Sequence, residues 1–150
     1  VRPWHRNEIA RLVKTPKLHF MDSGLLSALR GHTSARLRQE RQLFGPVLEG
    51  FVFTELRKAC AWSEGAVSLH HFRDRDGHEV DFVLESAAGA VVGIEVKASA
   101  TVTRGDFEGL RRLRDAAGAA FVTGIVLHDG EQTLAFGDRL YAAPLSAMWA

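Results

Sequence analysis

Two short runs decide most of what this 150-residue chain can fold into: Val80-Asp81-Phe82-Val83-Leu84 and, after the turn-prone Ala87-Ala88-Gly89-Ala90, Ile94-Glu95-Val96-Lys97. Successive side chains of a strand point to opposite faces. Val80, Phe82 and Leu84 are therefore expected to point away from Asp81, and Ile94 and Val96 away from Glu95 and Lys97. Burying the apolar residues displays the charged ones. A hairpin then sets Asp81 beside Glu95 and Lys97, two acids and a lysine of the kind that hold a divalent cation and a phosphodiester. An exposed strand pair with no such role fits the same spacing.

The flanking elements complete the architecture. Leu43, Phe44, Val47, Leu48, Phe51, Val52 and Leu56 recur at three- and four-residue spacing, which predicts a long helix from about Glu40 to Trp62 with Pro46 near its first turn. Glu49 interrupts that apolar pattern. Val67 to Phe72 reads as a strand, Asp74-Arg75-Asp76-Gly77 as a tight turn, Glu79 to Glu85 as the returning strand and Val91 to Ala98 as a third. Thr103, with Asp106 three residues on, caps a helix whose buried stripe is Phe107, Leu110 and Leu113. Phe121 to Leu127 is apolar enough to be buried on both faces, and Thr133 to Phe136 and Leu140 to Ala143 supply short edges. Upstream, Lys17 to Met21 alternates like a strand and leads into a helix with Leu25, Leu26 and Leu29 on one stripe, ending at Gly31. The order predicts an α/β sandwich with a mixed sheet.

Composition narrows the class. At 46% hydrophobic and 25% charged, the chain has material for one core and one domain. Cys60 has no partner for a disulfide or a Cys-x-x-Cys zinc site and is expected as a buried small residue on a helix. No apolar run approaches the roughly 20 residues that span a bilayer, and no charged-then-apolar leader opens the chain, so a cytoplasmic protein without membrane contact is expected. The start, Val1-Arg2-Pro3-Trp4, reads as the interior of a longer polypeptide. Net charge is +1, but residues 1–41 carry +6 and residues 42–150 carry −5. A basic arm beside an acidic body suits a polyanion partner and bound metal ions, and equally suits a basic segment packed on its own acidic neighbour.

A helix bearing Glu49, then Asp81, then Glu95-Val96-Lys97 has the order of motifs in the PD-(D/E)XK nuclease superfamily, which the chain resembles over about residues 45–130. The resemblance implies a restriction-endonuclease-like sandwich, a central mixed sheet flanked by helices. It also implies a site: Asp81, Glu95 and the backbone carbonyl of Val96 as ligands of Mg2+ or Mn2+, Lys97 as the group that orients the attacking water, and Glu49 as the helical acid. Val80 stands where the family's name-giving proline would be. More of the chain, from Lys14-Thr15-Pro16-Lys17-Leu18-His19-Phe20-Met21-Asp22-Ser23-Gly24-Leu25-Leu26 through Phe44 to Leu56, Asp76 to Phe82 and Ile94-Glu95-Val96-Lys97, looks like a domain of unknown function found at the C-terminus of a group of prokaryotic AAA+ ATPases. That implies a basic lead-in over residues 1–40, a nuclease-like domain over 41–150 and a preceding ATPase as partner, with DNA as substrate. No Gly-x-x-x-x-Gly-Lys-Ser/Thr loop for ATP occurs in these residues. The alternative is a catalytically silent module of that ATPase, docking nucleic acid or protein.

Other residues are read as structural. His70 and His71 alternate across a strand and cannot easily share one metal, Glu79 is a turn-end acid, and Trp4, Trp62 and Trp149 are expected as core anchors. Arg73, Arg75, Arg111, Arg112 and Arg114 are candidates for phosphate contact on otherwise solvated faces.

Overall fold

A computed structural model of the chain describes residues 1–7 and 15–149. Its strands are β1 (Arg2–Pro3), β2 (Val67–Arg73), β3 (Glu79–Ser86), β4 (Val91–Lys97), β5 (Phe121–His128), β6 (Leu134–Gly137) and β7 (Leu140–Pro144). Its helices are α1 (Ser23–Leu29), α2 (Ser34–Gln39), α3 (Arg41–Trp62) and α4 (Glu108–Ala117), with a 3-10 turn over Arg104–Phe107 leading into the last. The seven strands form one mixed sheet in the order β1-β2-β3-β4-β5-β7-β6. β2, β3 and β4 are an antiparallel meander, β4, β5 and β7 are parallel, and β6 returns antiparallel on the edge.

The parallel step from β4 to β5 needs a crossover, and α4 supplies it. Thr103 and Asp106 form the expected capping box, and Phe107, Leu110 and Leu113 are fully buried on one side of the sheet with Val80, Val83, Val91, Phe121 and Val126. On the other side, Val52, Phe53 and Leu56 of α3 pack against Phe82, Ile94 and Leu127. β5 thus contributes Val126 to one layer and Leu127 to the other, as its nearly unbroken apolar run requires. The architecture is α/β, with helices on both faces of the sheet.

Several expectations are corrected. Val80, Phe82 and Leu84 do not share a face: Val80 packs with the α4 layer, Phe82 and Leu84 with the α3 layer. The cause is a bulge, because His70 pairs with Val83 but Phe72 with Val80, so Asp81 and Phe82 together stand opposite His71. The extra residue resets the alternation at Asp81.

Lys17 to Met21 forms no strand: among the described residues only Lys17 of this stretch meets a neighbouring backbone, its N–H donating to the Val1 carbonyl at 2.9 Å and its carbonyl accepting from the Val1 amine at 2.6 Å. Lys14, at the head of the same motif, lies outside the described residues. α3 begins five residues before Pro46, which therefore sits in its second turn. Of the stripe on α1 only Leu26 is buried, while Leu25 and Leu29 are exposed. Short α2 had no apolar period to announce it, and none of its residues is buried. Trp4 is a core residue as expected, but Trp62 and Trp149, each the last residue of a helical element, are exposed. Cys60 is only partly buried.

No helix among the described residues is long and apolar enough to cross a membrane.

Candidate functional site

The ladder between β3 and β4 runs from Glu85–Val91 to Phe82–Ile94 and stops there. One residue further, side chains replace it. Asp81 Oδ2 accepts the Val96 N–H at 3.0 Å, and a Glu95 carboxyl oxygen accepts the Asp81 N–H at 3.3 Å. The bulge that turns Asp81 out of the alternation thus leaves two backbone donors at the strand ends, and the two acids satisfy them. Asp81 and Glu95 meet as the sequence suggested. Val96 takes part through its N–H.

The second oxygen of Asp81 faces a cation. Lys17 Nζ donates to Asp81 Oδ1 at 2.9 Å and lies 2.6 Å from Glu49 Oε1 on α3. Glu49 therefore reaches Asp81 through an ammonium, and the sequence named the two acids without the lysine that joins them. Glu49 Oε1 is itself buried and makes an ion pair without a well-aligned hydrogen bond. His19 completes the group: Nδ1 lies 3.7 Å from Glu49 Oε1, and the ring stacks on Phe53 at 4.6 Å and tilts against Phe82 at 5.5 Å. Alternation along Lys17-Leu18-His19 was the available signal, since it puts both polar residues on one side.

The electrostatics follow from crowding acids in a half-buried place. Burial, then the Asp81 charge, pushes the Glu95 carboxyl up to about 9, so it holds its proton at neutral pH. Burial and Asp81 likewise raise Glu49, against the pull of Lys17. Burial alone would lower Lys17, but Asp81 and Glu49 outweigh it and hold the ammonium above the ordinary lysine value. Burial and the Lys17 charge bring His19 down to about 4, so its ring is neutral.

Lys97 goes elsewhere. Its ammonium pairs with Asp106, whose same oxygen takes the Thr103 N–H at 2.6 Å and the Thr103 hydroxyl at 2.8 Å. The strand face it shares with Glu95 leads toward α4, and the capping acid of that helix is the nearest counter-charge.

As metal ligands, Glu49, Asp81 and Glu95 offer only hard oxygen donors, the set Mg2+ and Mn2+ prefer. Two of them converge on one cation, the lysine's. Among the described residues, the one group of three acids or imidazoles whose ligand atoms all lie within 4.8 Å of one another is Asp74, Asp76 and His78 in the β2–β3 turn. Asp74 of that group is engaged by its own turn: its Oδ1 accepts the Asp76 and His78 N–H groups at 2.9 and 2.8 Å, and His78 Nδ1 lies 3.0 Å from its Oδ2.

A cavity of about 480 Å3 opens beside the cluster, with Lys17, His71, Arg73, Arg75, Asp74 and Glu79 in its wall. Arg73 pairs with Glu79 at 3.2 Å, and Arg111 and Arg112 both reach Glu108. Arg114 donates to the Asp138 carbonyl at 3.1 Å. His70 Nε2 lies 3.4 Å from Glu85, and His71 Nε2 is 3.3 Å from the Thr15 carbonyl, so the two histidines point to different partners.

Residues 44–148 match the profile of a domain of unknown function, DUF4143, and residues 1–36 that of a second, DUF8612. Uncharacterized proteins of Mycobacterium bovis and Mycobacterium tuberculosis are each 27% identical to the chain over 144 residues, which cover 95% of it and 30% of theirs. The chain thus spans under a third of the length of these relatives. No solved structure matches it significantly.

Proposed function

The chain belongs to the DUF4143 family of domains of unknown function, and from that premise we propose that it is a divalent-metal-dependent phosphodiesterase domain of the restriction-endonuclease-like, PD-(D/E)XK type. Its substrate is DNA, and it works as the C-terminal part of a longer cytoplasmic protein. The observation that carries the reading is the convergence of Glu49 and Asp81 on a single positive charge, with the Glu95 carboxyl on the Asp81 N–H beside them. Members of the family often stand at the C-terminus of AAA-type ATPases, which supports an ATPase as the partner in the same chain.

Asp81, Glu95 and Glu49 would hold the Mg2+ or Mn2+, with the Val96 carbonyl as a further oxygen. When bound, the ion supplies Lewis acidity to the phosphoryl oxygens and lowers the pKa of a water. The chain's own residues do the rest. Asp81 fixes the ends of β3 and β4 through the Val96 N–H, so its other oxygen is aimed. Glu95 would serve as a ligand in its ionised carboxylate form. Arg73, Arg75 and His71 line the cavity, which supports a phosphate backbone as what it meets. Lys97 reaches a substrate only by leaving Asp106.

That last pairing favours a second reading, a silent docking domain that keeps the fold and binds nucleic acid or protein. One experiment separates the two. The intact protein, incubated with single-stranded, nicked and duplex DNA and MnCl2 or MgCl2, is expected to cleave at least one form, and Asp81→Ala to lower the rate by about 100-fold or more. Equal rates in the two proteins, or no cleavage of any form, favours docking.

A further inference from the structure

Residues 15–21 lie over the acid cluster as a strap with its polarity reversed. Lys17 and His19 point inward, and the side chains between and beyond them point out: Leu18 is 92% exposed, Phe20 44% and Met21 58%. Burial normally selects the opposite arrangement. The strap joins no strand of the sheet, and its backbone pairs only with Val1 among the described residues. Its fastenings are the Lys17 ion pairs with Glu49 and Asp81, the His19 ring against Phe53 and Phe82, the reciprocal backbone pair of Lys17 with Val1, His71 Nε2 at 3.3 Å from the Thr15 carbonyl, and the Thr54 hydroxyl donating to the Met21 carbonyl at 3.1 Å. Charge and polar contacts, more than apolar burial, hold it down.

The charge it brings sits where a cation belongs. Lys17 Nζ is within 2.9 Å of oxygens from both Glu49 and Asp81, so no ligand can use those two oxygens together while the ammonium remains. The Glu49 Oε1 that the ammonium reaches is itself buried. A doubly charged ion with several coordination positions fills the same place better than a single ammonium.

We propose that Lys17 is a displaceable internal cation: it neutralises Glu49 and Asp81 in the metal-free protein, and a divalent ion enters only as the 15–21 strap lifts and withdraws the ammonium. The strap is an autoinhibitory contact. This rests on the metal-dependent reading above. Its consequence is arithmetic: a site open only a small fraction of the time binds with an affinity reduced by that fraction.

The test is metal binding by the intact protein, with MnCl2 as the probe and calorimetry or Mn2+ electron paramagnetic resonance as the readout, on wild type, Lys17→Gln and Asp81→Asn. Lys17→Gln is expected to bind Mn2+ at least about 10-fold more tightly than wild type, and Asp81→Asn to lose the site. In wild type alone, hydrogen exchange over residues 15–21 is expected to quicken when Mn2+ is added, an arm that does not depend on any variant folding. Equal or weaker binding by Lys17→Gln, or unchanged exchange in a wild type that binds Mn2+, overturns the strap while leaving the metal site standing. No Mn2+ bound by either wild type or Lys17→Gln overturns both.

Discussion

Glu95→Gln is expected to make the protein more stable at pH 8 and to remove most of a downward slope of stability with pH. The Glu95 carboxyl titrates near the ordinary 4.5 when unfolded and about 9 in the native site, where burial and the Asp81 charge oppose ionisation. Below pH 4.5 both states keep the proton, and the contribution of this carboxyl is fully present. Between pH 4.5 and about 9 the unfolded chain releases a proton that the native chain retains, so stability falls as pH rises. Past the native value the loss is complete. One proton's difference gives a slope of at most about 1.4 kcal/mol per pH unit, and the whole window a ceiling of about 6 kcal/mol. Solvent entry and the nearby Lys17 reduce this, so a slope of about 0.5 to 1 kcal/mol per unit is the expected reading. Glutamine keeps the oxygen that accepts the Asp81 N–H and has no proton to lose. Urea unfolding of wild type and Glu95→Gln at pH 5.5, 7 and 8.5 checks it. Curves that stay parallel across that range would show that Glu95 is ionised in the folded protein.

Gly109→Ala is expected to cost about 3 kcal/mol or more, at the high end for added core volume. A β-carbon built at Gly109 falls 1.9 Å from the Glu79 carbonyl oxygen and 2.9 Å from its carbon. The obstacle is backbone of β3, which no rotamer change removes. Helix propensity acts the other way, but alanine gains only about 1 kcal/mol over glycine in a helix, so the clash wins. To make room α4 must move off β3, lifting Leu110 and Leu113 from the core and straining the strand that carries Asp81. Gly45 in α3 is the contrast, because a β-carbon there meets nothing within 4 Å. Gly45→Ala should be neutral or mildly stabilising. Equal effects at the two positions would mean that α4 does not approach the sheet this closely.

Much of the fold was written as period. β2 to β7 and α3 were placed within about two residues because their apolar spacing is 2 or near 3.6 and turn residues separate them. The pairing of Asp81 with Glu95 was legible for the same reason. The bulge at Asp81 was not: Val80, Phe82 and Leu84 form a perfect alternation, and only the register with β2 shows that Val80 belongs to the other layer. Lys17 was missed because its partners lie 32 and 64 residues away, and sequence spacing carries no information at that range. The partner of Lys97 was within reach, since Asp106 was already assigned as a capping acid. What the pattern lacked was the competition between a strand-end lysine's two possible counter-charges, Asp81 and Asp106, which depends on which way the strand ends splay. The exposed Leu18, Leu25 and Leu29 mark the limit of hydrophobic pattern as a guide, because it records which residues can be buried and not whether this chain alone buries them.

A crystal of the intact protein soaked in MnCl2 and measured at the manganese absorption edge puts the acid cluster to its most direct test. The expected result is one anomalous peak at coordination distance, about 2.1 Å, from carboxylate oxygens of Asp81 and Glu95, with the Lys17 ammonium withdrawn from Glu49. A peak only in the Asp74, Asp76 and His78 turn, or none with Lys17 still between Glu49 and Asp81, would contradict a metal-dependent site at the ends of β3 and β4.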